Sequence, residues 1–372
     1  MAIRDRLALS EDERALQGTL REFLTEQQPP AALRAAIDSE TGFTAQLHHR
    51  LVSELGLGGL TVPEEYGGLG MGAAESAVVH RELGRALYPG PFLPGCLAAA
   101  ALLEAGDDTA CRRWLPLLAG GAATGTVAVA GQDGSWNGRH GVGSSKTPGG
   151  WQLSGMAWYV LAGHVAEFLV VPAVTGDGPA VFVAERGSGM LVTPMPVLDL
   201  TRRVSVLSFD QAPVTMIAAG DVADRVTKRV RTVFELATAA EAAGGIDWCL
   251  GTAVRHARDR EQFGQPIGSF QAIAHQCADV LAGLQEAWAS ARYAAAATAE
   301  EASDARLATQ VAVLRAGEAY RHAAETAIHV LGGVGFTWEH DAHLYYRRAW
   351  SAQELAGGAL AHRAAIADLA GL

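Results

Sequence analysis

The segment Arg258–Gln271, RDREQFGQPIGSFQ, combines residue types suited to binding an anion. Its pattern predicts that a helix ends in the basic run and that the chain turns sharply at Gly264 and Pro266 before a second helix. Arg258 and Arg260 would lie where cations stabilise a helix C-terminus, which requires no ligand. A guanidinium also binds phosphate through paired hydrogen bonds, so Arg260 is a candidate ligand for such an anion.

The first third of the chain is predicted to be helical. Ser10 and Glu13 form a capping-box pattern, and apolar residues follow at helical spacing. The stretch 58–72 is so rich in glycine and proline that it must be a loop, and Tyr88–Pro91 is a strong helix stop. Further helical patterns cover residues 43–55, 73–87 and 97–118.

The pattern changes near Thr124, where short β-type runs separated by Gly, Asp and Pro begin. Several short strands with turn residues between them predict a small β-barrel or sandwich, with an exposed turn at 135–138. The β-type runs are 126–130, 168–171, 180–184 and 204–209.

Helical patterns return near Asp221 and continue to the end, with alanine very abundant in 287–327. Small side chains permit close helix packing, so we expect a four-helix bundle interrupted at Leu331–Gly335. A chain of 372 residues is long for one core. We therefore predict an α+β protein with a helical domain at 1–122, a β domain at 123–221 and a helical bundle at 222–372.

Composition excludes several classes of function. A formal charge of −11 argues against nonspecific nucleic-acid binding. The 4 cysteines are scattered, which predicts free thiols in the cytoplasm and neither disulfides nor a metal site. Residues 1–6 lead into acidic residues and do not form a signal peptide, and no apolar stretch is long enough to span a membrane.

Four passages, in this order, resemble the acyl-CoA dehydrogenase family of flavoproteins, and the resemblance covers nearly the whole chain. They are TVPEEYGGLG at 61–70, ELGRAL at 82–87 followed by Pro91 and Phe92, REQFGQPIGSFQ at 260–271, and HVLGGVGF at 329–336. The resemblance implies FAD as cofactor and the α–β–α order of domains. It also implies an oligomer, typically a dimer or a dimer of dimers, because the family's FAD site is shared between subunits.

The resemblance also implies which residues bind the cofactor. Arg260 falls on the family arginine that reaches the FAD pyrophosphate of a neighbouring subunit. Gly332 and Gly333 fall where the backbone approaches FAD, although a plain helix-breaking turn would also explain them. The remaining implied cofactor residues in the C-terminal region are Phe263, Gln271 and His329, the last at a position where glutamine is common.

The β domain resembles the family at 151–155 and 199–203. In that alignment Tyr159 falls on the aromatic residue beside the flavin ring, although a core aromatic on a strand is an equally good interpretation. Val129 and Ala130 fall on the strand that offers hydrogen bonds to the flavin.

The sequence departs from the family at the catalytic base, a carboxylate that removes the substrate α-proton. The usual glutamate position is Ala356, and an alternative position used by some members is Phe234. Neither side chain accepts a proton. The nearest carboxylates, and therefore the candidates for the base, are Glu354, Glu235 and Glu241.

Two hypotheses follow. The chain is an FAD-dependent α,β-dehydrogenase of an acyl thioester carried by coenzyme A or an acyl carrier protein, with an unusual base. Alternatively, it is a non-catalytic subunit that lends half of a shared FAD site to a homologous partner. Assembly would be a homo-oligomer in the first case and a hetero-oligomer in the second. A third option is an oxidase or oxygenase on the same fold.

Overall fold

The computed structural model describes residues 7–136 and 141–372. The first six residues and the second half of the predicted turn at 135–138 lie outside the described residues. Within the described part, the N-terminal region contains α1 (Glu11–Gln27), α2 (Pro30–Asp38), α3 (Ala45–His49), α4 (Ala73–Arg85), α5 (Phe92–Ala105) and α6 (Asp108–Ala119).

The predicted capping box at the start of α1 is confirmed. The Ser10 hydroxyl accepts from the Glu13 amide at 3.1 Å, and the Glu13 carboxylate accepts from the Ser10 amide at 2.7 Å. The same carboxylate forms a buried ion pair with Arg292 at 2.5 Å. The cap therefore also ties the first helix to the C-terminal region.

Two of the predicted N-terminal helices differ in the structure. The segment predicted at 43–55 is the short α3 followed by a π-helical turn at Arg50–Glu54. The segment predicted at 97–118 divides into α5 and α6, because Gly106 adopts a φ angle of 69° that ends the first helix.

The middle region is a small barrel. Strand β4 pairs with β5, β5 with β7, β7 with β3 and β3 with β2, and a single β2–β4 pair closes the ring. Alternate residues face inward, and the interior is filled by an apolar cluster that includes Leu153, Phe182 and Leu207. The strands are β1 (Gly125–Val127), β2 (Val142–Thr147), β3 (Gly150–Leu161), β4 (Phe168–Thr175), β5 (Gly178–Glu185), β6 (Met190–Pro194) and β7 (Val204–Ala219).

The C-terminal region is a helical bundle around the long helix α7 (Asp221–Asp259), which is followed by a two-stranded hairpin of β8 (Glu261–Gln262) and β9 (Gln265–Pro266). The remaining helices are α8 (Gln271–Ala299), α9 (Ala305–Leu331), α10 (Ala342–Leu355) and α11 (Gly358–Ala370). One apolar cluster joins the N-terminal helices, the barrel and the bundle. The predicted α+β class is confirmed, whereas the exact domain limits stay a prediction.

Glycines allow α4 and α7 to pack closely. A Cβ added at Gly244 would lie 1.9 Å from the Arg81 carbonyl oxygen, and one added at Gly84 would lie 2.2 Å from the Glu241 carbonyl oxygen. Both approaches are far shorter than any real Cβ contact, so both positions require glycine.

Within residues 7–136 and 141–372, no helix is long and apolar enough to cross a membrane. The same ranges contain no group of His, Cys, Asp and Glu side chains arranged to hold a metal ion.

Candidate active site

The predicted anion-binding segment forms a tight hairpin directly after α7. Phe263 and Gly264 make its two-residue turn, with φ angles of 54° and 79°. Two consecutive positive φ angles are typical of a type I′ turn, which reverses the chain within two residues. The Arg260 side chain is exposed at the base of this hairpin, and its guanidinium pairs with no acidic group that the structure describes. It is therefore available to an anion from outside the chain.

The glycine-rich motif follows α9 and leaves its backbone open. Gly332 has φ 67° and ψ −142°, a conformation that residues with a Cβ avoid. A Cβ added at Gly332 or Gly333 would meet no atom within 4 Å. The His329 ring nitrogen Nδ1 lies 3.2 Å from the Gln276 side-chain oxygen, which orients the imidazole beside this turn.

An apolar cluster brings these two motifs to the same end of the bundle. Ala257 precedes the hairpin and Val330 precedes the glycines; the two belong to one buried cluster, against which Ile273 of α8 packs. The resulting face presents the Arg260 guanidinium, the Phe263 ring, which is 93% exposed, and the uncovered backbone of the two glycines. The predicted cofactor residues on this face are Arg260, Phe263, Gln271, His329, Gly332 and Gly333.

A cavity of about 380 Å³ lies between the barrel and the C-terminal helices. Val129, Ala130 and Tyr159 form part of its barrel wall, and Phe234 and Glu354 form part of its helical wall. The structure thus brings the other predicted cofactor residues together with one of the three candidate bases.

The barrel wall suits a planar ring with hydrogen-bond acceptors. Trp158 and Tyr159 both line the cavity at an irregular step in β3, where Tyr159 adopts a φ angle of 51°. Val129 is buried, and its amide donates no hydrogen bond within the described residues. Buried amides are normally paired, so this one is suited to an acceptor on a ligand. Sequence reasoning missed Trp158, although its place beside Tyr159 was a usable signal.

The three candidate bases are in different surroundings. Glu354 on α10 is exposed at the cavity, and its carboxylate has no hydrogen-bond or ion-pair partner among the described residues. Glu235 is fully buried, outside the cavity, and forms ion pairs with Arg231 at 3.0 Å and with Arg306. A carboxylate held by two guanidiniums is poorly placed to exchange a proton with substrate.

Glu241 also lies in an ion-pair network. It pairs with Arg202 and lies 3.5 Å from both Arg348 and His80. Burial acts to raise the pKa of Glu241, but Arg202, His80 and Arg348 outweigh burial and lower the pKa well below its usual value. Glu241 therefore stays ionised, and its position favours a structural role beside the cavity.

Arg348 connects this network to the cavity wall. Its Nε donates to the Asp199 carboxylate at 2.5 Å, and its Nη2 donates to the Thr201 hydroxyl at 2.6 Å. All three side chains are buried, and Asp199 lines the cavity. This network was not predicted, because its members are distant in sequence. The one signal in the sequence was an arginine at a core position of a helical pattern, which indicates a buried partner for its charge.

The two positions at which the resemblance predicts the catalytic base carry no proton acceptor. Ala356 is buried at the end of α10, and Phe234 is buried against Trp136, whose ring stacks at 5.0 Å. The Glu354 carboxylate lies over the start of α11, where a Cβ at Gly358 would be 3.2 Å from its Oε2 atom.

The two halves of the site are far apart within one chain. Phe234 in the cavity lies on α7 and Arg260 directly follows the last residue of that helix, so the two are roughly 39 Å apart at the usual helical rise. The cavity with aromatic walls and the separate face that carries Arg260, Gly332 and Gly333 are the two places where the resemblance puts a flavin cofactor. This arrangement is the one expected of a flavoprotein oxidoreductase.

Comparison with known proteins identifies the family. The acyl-CoA dehydrogenase N-terminal domain matches residues 10–122, and the acyl-CoA dehydrogenase C-terminal domain matches residues 229–370. The chain is 34% identical to acyl-CoA dehydrogenase IpdE2 of Mycobacterium tuberculosis H37Rv, over 93% of each chain. The solved ChsE4–ChsE5 complex from Mycobacterium tuberculosis superposes with a TM-score of 0.89 at 30% identity, covering 97% of this chain and 98% of the other.

The chain belongs to the acyl-CoA dehydrogenase family. It is an acyl-CoA dehydrogenase-type flavin oxidoreductase, and its cofactor is FAD. The resemblance found in the sequence is thereby confirmed at the level of family, fold and cofactor.

Proposed function

We propose that this chain dehydrogenates an acyl thioester between its α and β carbons, with Glu354 as the catalytic base. Glu354 carries the proposal, because it is the one candidate carboxylate that both lines the cavity and lacks a partner in the described residues. Bound FAD would supply the acceptor for the β-hydride. Glu354 accepts the α-proton, and the Val129 amide and the Trp158 and Tyr159 rings position the reacting groups.

We also propose that the working site contains two subunits. The unpaired Arg260 guanidinium follows the end of α7 that is remote from the cavity, and the open backbone at Gly332 and Gly333 lies on the same face as Arg260. Neither would serve the cavity of its own chain. They would hold the FAD of a neighbouring subunit, with Phe263, Gln271 and His329 beside it. The acyl group is carried by coenzyme A or by an acyl carrier protein.

The test of the base is Glu354→Gln in the flavin-loaded protein. Loss of general-base catalysis lowers the rate by roughly 10²–10⁴-fold. The measurement is the rate at which visible flavin absorbance bleaches without oxygen across a panel of acyl thioesters. Glu22→Gln, an exposed carboxylate on α1, is the matched control and should bleach like the wild type. Full activity in Glu354→Gln would exclude this residue as the base.

One observation favours a second candidate function. Ala356 has no carboxylate to act as the base at the usual base position, and the ChsE4–ChsE5 structure is a complex of two different chains. In this alternative the chain is the non-catalytic subunit of a hetero-oligomer and contributes Arg260 to its partner's flavin. It would then contain little flavin when purified alone, and co-expression with a homologous subunit would restore both flavin and turnover. A flavin-loaded chain that is active alone excludes the alternative.

A further inference from the structure

A second cavity, of about 500 Å³, lies among α4, α5, α7 and the end of α8. We call it the α4–α8 cavity. It shares no lining residue with the cavity between the barrel and the bundle. Leu97 and Phe234 face that first cavity, whereas Ala100 of α5 and Val233 and Leu236 of α7 face the second. The α5–α7 contact therefore separates them.

The α4–α8 cavity contains a buried polar group without a partner. His80 of α4 is 1% exposed and lines this cavity. Its Nδ1 atom faces Glu241 at 3.5 Å, and Nε2, on the other edge of the ring, makes no hydrogen bond within the described residues. The Thr298 hydroxyl, also on the lining, has no partner there either. Buried polar atoms are normally paired, so these atoms suit a polar group on a ligand.

The charges around the cavity do not favour an ion. Arg229, Glu104 and Glu301 line it, which leaves no excess of positive charge for an anion. Glu104 is already paired with Arg225 at 3.3 Å. Most of the other lining residues are apolar, including Ala77, Leu103 and Ala237. A neutral molecule with a large apolar body is therefore the best match.

We propose that the α4–α8 cavity is a second ligand site, distinct from the flavin cavity, for a neutral apolar alcohol or ketone. The hydroxyl or carbonyl group pairs with His80 or Thr298, and the apolar body lies against α5 and α7. The volume is within the range of about 300–1,000 Å³ that is typical of small-molecule sites. This proposal does not depend on the identity of the catalytic base.

Two methionines allow a direct test in the FAD-loaded protein. Met71 lines the α4–α8 cavity and Met195 lines the flavin cavity. With ¹³C-methyl-labelled methionine, titration with 2-octanone or 2-octanol should shift the Met71 resonance saturably and leave Met195 in place. Octane should bind about fivefold more weakly, because it leaves the buried polar atoms unpaired.

Two variants separate binding in the cavity from adventitious contact. Ala100→Leu places extra volume in the cavity from a half-exposed position on α5, and His80→Leu removes the polar group. Each should weaken the Met71 response at least tenfold, whereas Ala364→Leu, an exposed helical alanine, should not. If His80→Leu does not fold, Ala100→Leu alone decides. Three outcomes would overturn the proposal: no shift of the Met71 resonance, a shift of Met195 instead, or an unchanged Met71 response in Ala100→Leu. The cavity would then hold water alone.

Discussion

Replacing Arg348 by methionine should be among the most destabilising single changes in the chain. Arg348 is 3% exposed, and it donates to the Asp199 carboxylate, which is 2% exposed. Methionine preserves most of the side-chain volume but leaves Asp199 as a buried carboxylate without its counter-charge. Removing one partner of a buried ion pair costs about 3–5 kcal/mol of folding free energy. At about 2 °C per kcal/mol, even the lower limit lowers the melting temperature by roughly 6 °C.

An exposed ion pair provides the matched control. Arg315 contacts Glu286 at 2.7 Å, at a similar distance, but both side chains are about half exposed. Solvent screens such pairs, so Arg315→Met should cost less than about 1 kcal/mol. Thermal unfolding of the three proteins, followed by circular dichroism at neutral pH, gives the comparison. Equal melting temperatures for Arg348→Met and Arg315→Met would refute the argument from burial.

A second substitution tests the cause of the loss. If the cost comes from the unpaired Asp199 charge, adding Asp199→Asn to Arg348→Met should recover part of the lost stability. The Asn side chain keeps an oxygen that can accept from the Thr201 amide, which donates to Asp199 at 2.9 Å in the native protein. No recovery in the double variant would show that the unpaired Asp199 charge does not account for the effect.

The remaining predictions concern packing and pH. Gly244→Ala should destabilise the protein by about 1–3 kcal/mol or more, because its Cβ would overlap the α4 backbone. Gly18→Ala is the control and should be neutral or stabilising, because an added Cβ there meets no atom within 4 Å. Equal urea midpoints for the two variants would contradict this prediction. Burial lowers the pKa of His48 to about 4, so the folded state binds fewer protons than the unfolded state between that value and the ordinary 6.5. Stability from this residue is present above pH 6.5 and is lost as the pH falls towards 4. His48→Gln should flatten that part of the melting-temperature profile, and an unchanged profile would exclude His48 as its source.

Local patterns were enough to predict much of the fold. The capping box at Ser10 and Glu13 depends on residues close in sequence and has the expected geometry. A sharp turn was also predicted nearby, at Gly264 and Pro266, and the structure places it at Phe263 and Gly264, with Pro266 in the second strand of the hairpin. Short strands with turn residues indicated the small β domain, but pattern alone could not decide between barrel and sandwich. The β2–β4 pair that closes the ring joins Gly143 to Val174, a contact that no local pattern specifies.

The candidate site was less accessible to sequence reasoning, because it depends on long-range contacts. From the sequence, Glu354 and Glu235 ranked together as carboxylates next to the expected base positions, and Glu241 ranked below them. The structure separates them by their partners, since Arg231 and Arg306 hold Glu235 whereas Glu354 is unpaired in the described residues. Which arginines surround a buried glutamate is determined by the tertiary structure, so the sequence alone did not show it.

Sharing of the site between subunits can be tested by complementation. Arg260→Ala and Glu354→Gln each remove one half of the proposed site, and each variant alone should be nearly inactive. In a mixed dimer, the Glu354 cavity of one chain would meet the intact Arg260 of the other, so one of the two sites is restored while the other carries both changes.

Random pairing of the two variants in a twofold-symmetric dimer should therefore recover about a quarter of the wild-type flavin reduction rate. The control is a mixture of the two variants purified separately and kept below the temperature at which subunits exchange between dimers. This mixture should stay inactive. If each chain used its own Arg260, every site in every mixed dimer would carry one defect, and co-expression would restore nothing. That outcome would contradict the inference, drawn from the distance along α7, that the site is shared between subunits.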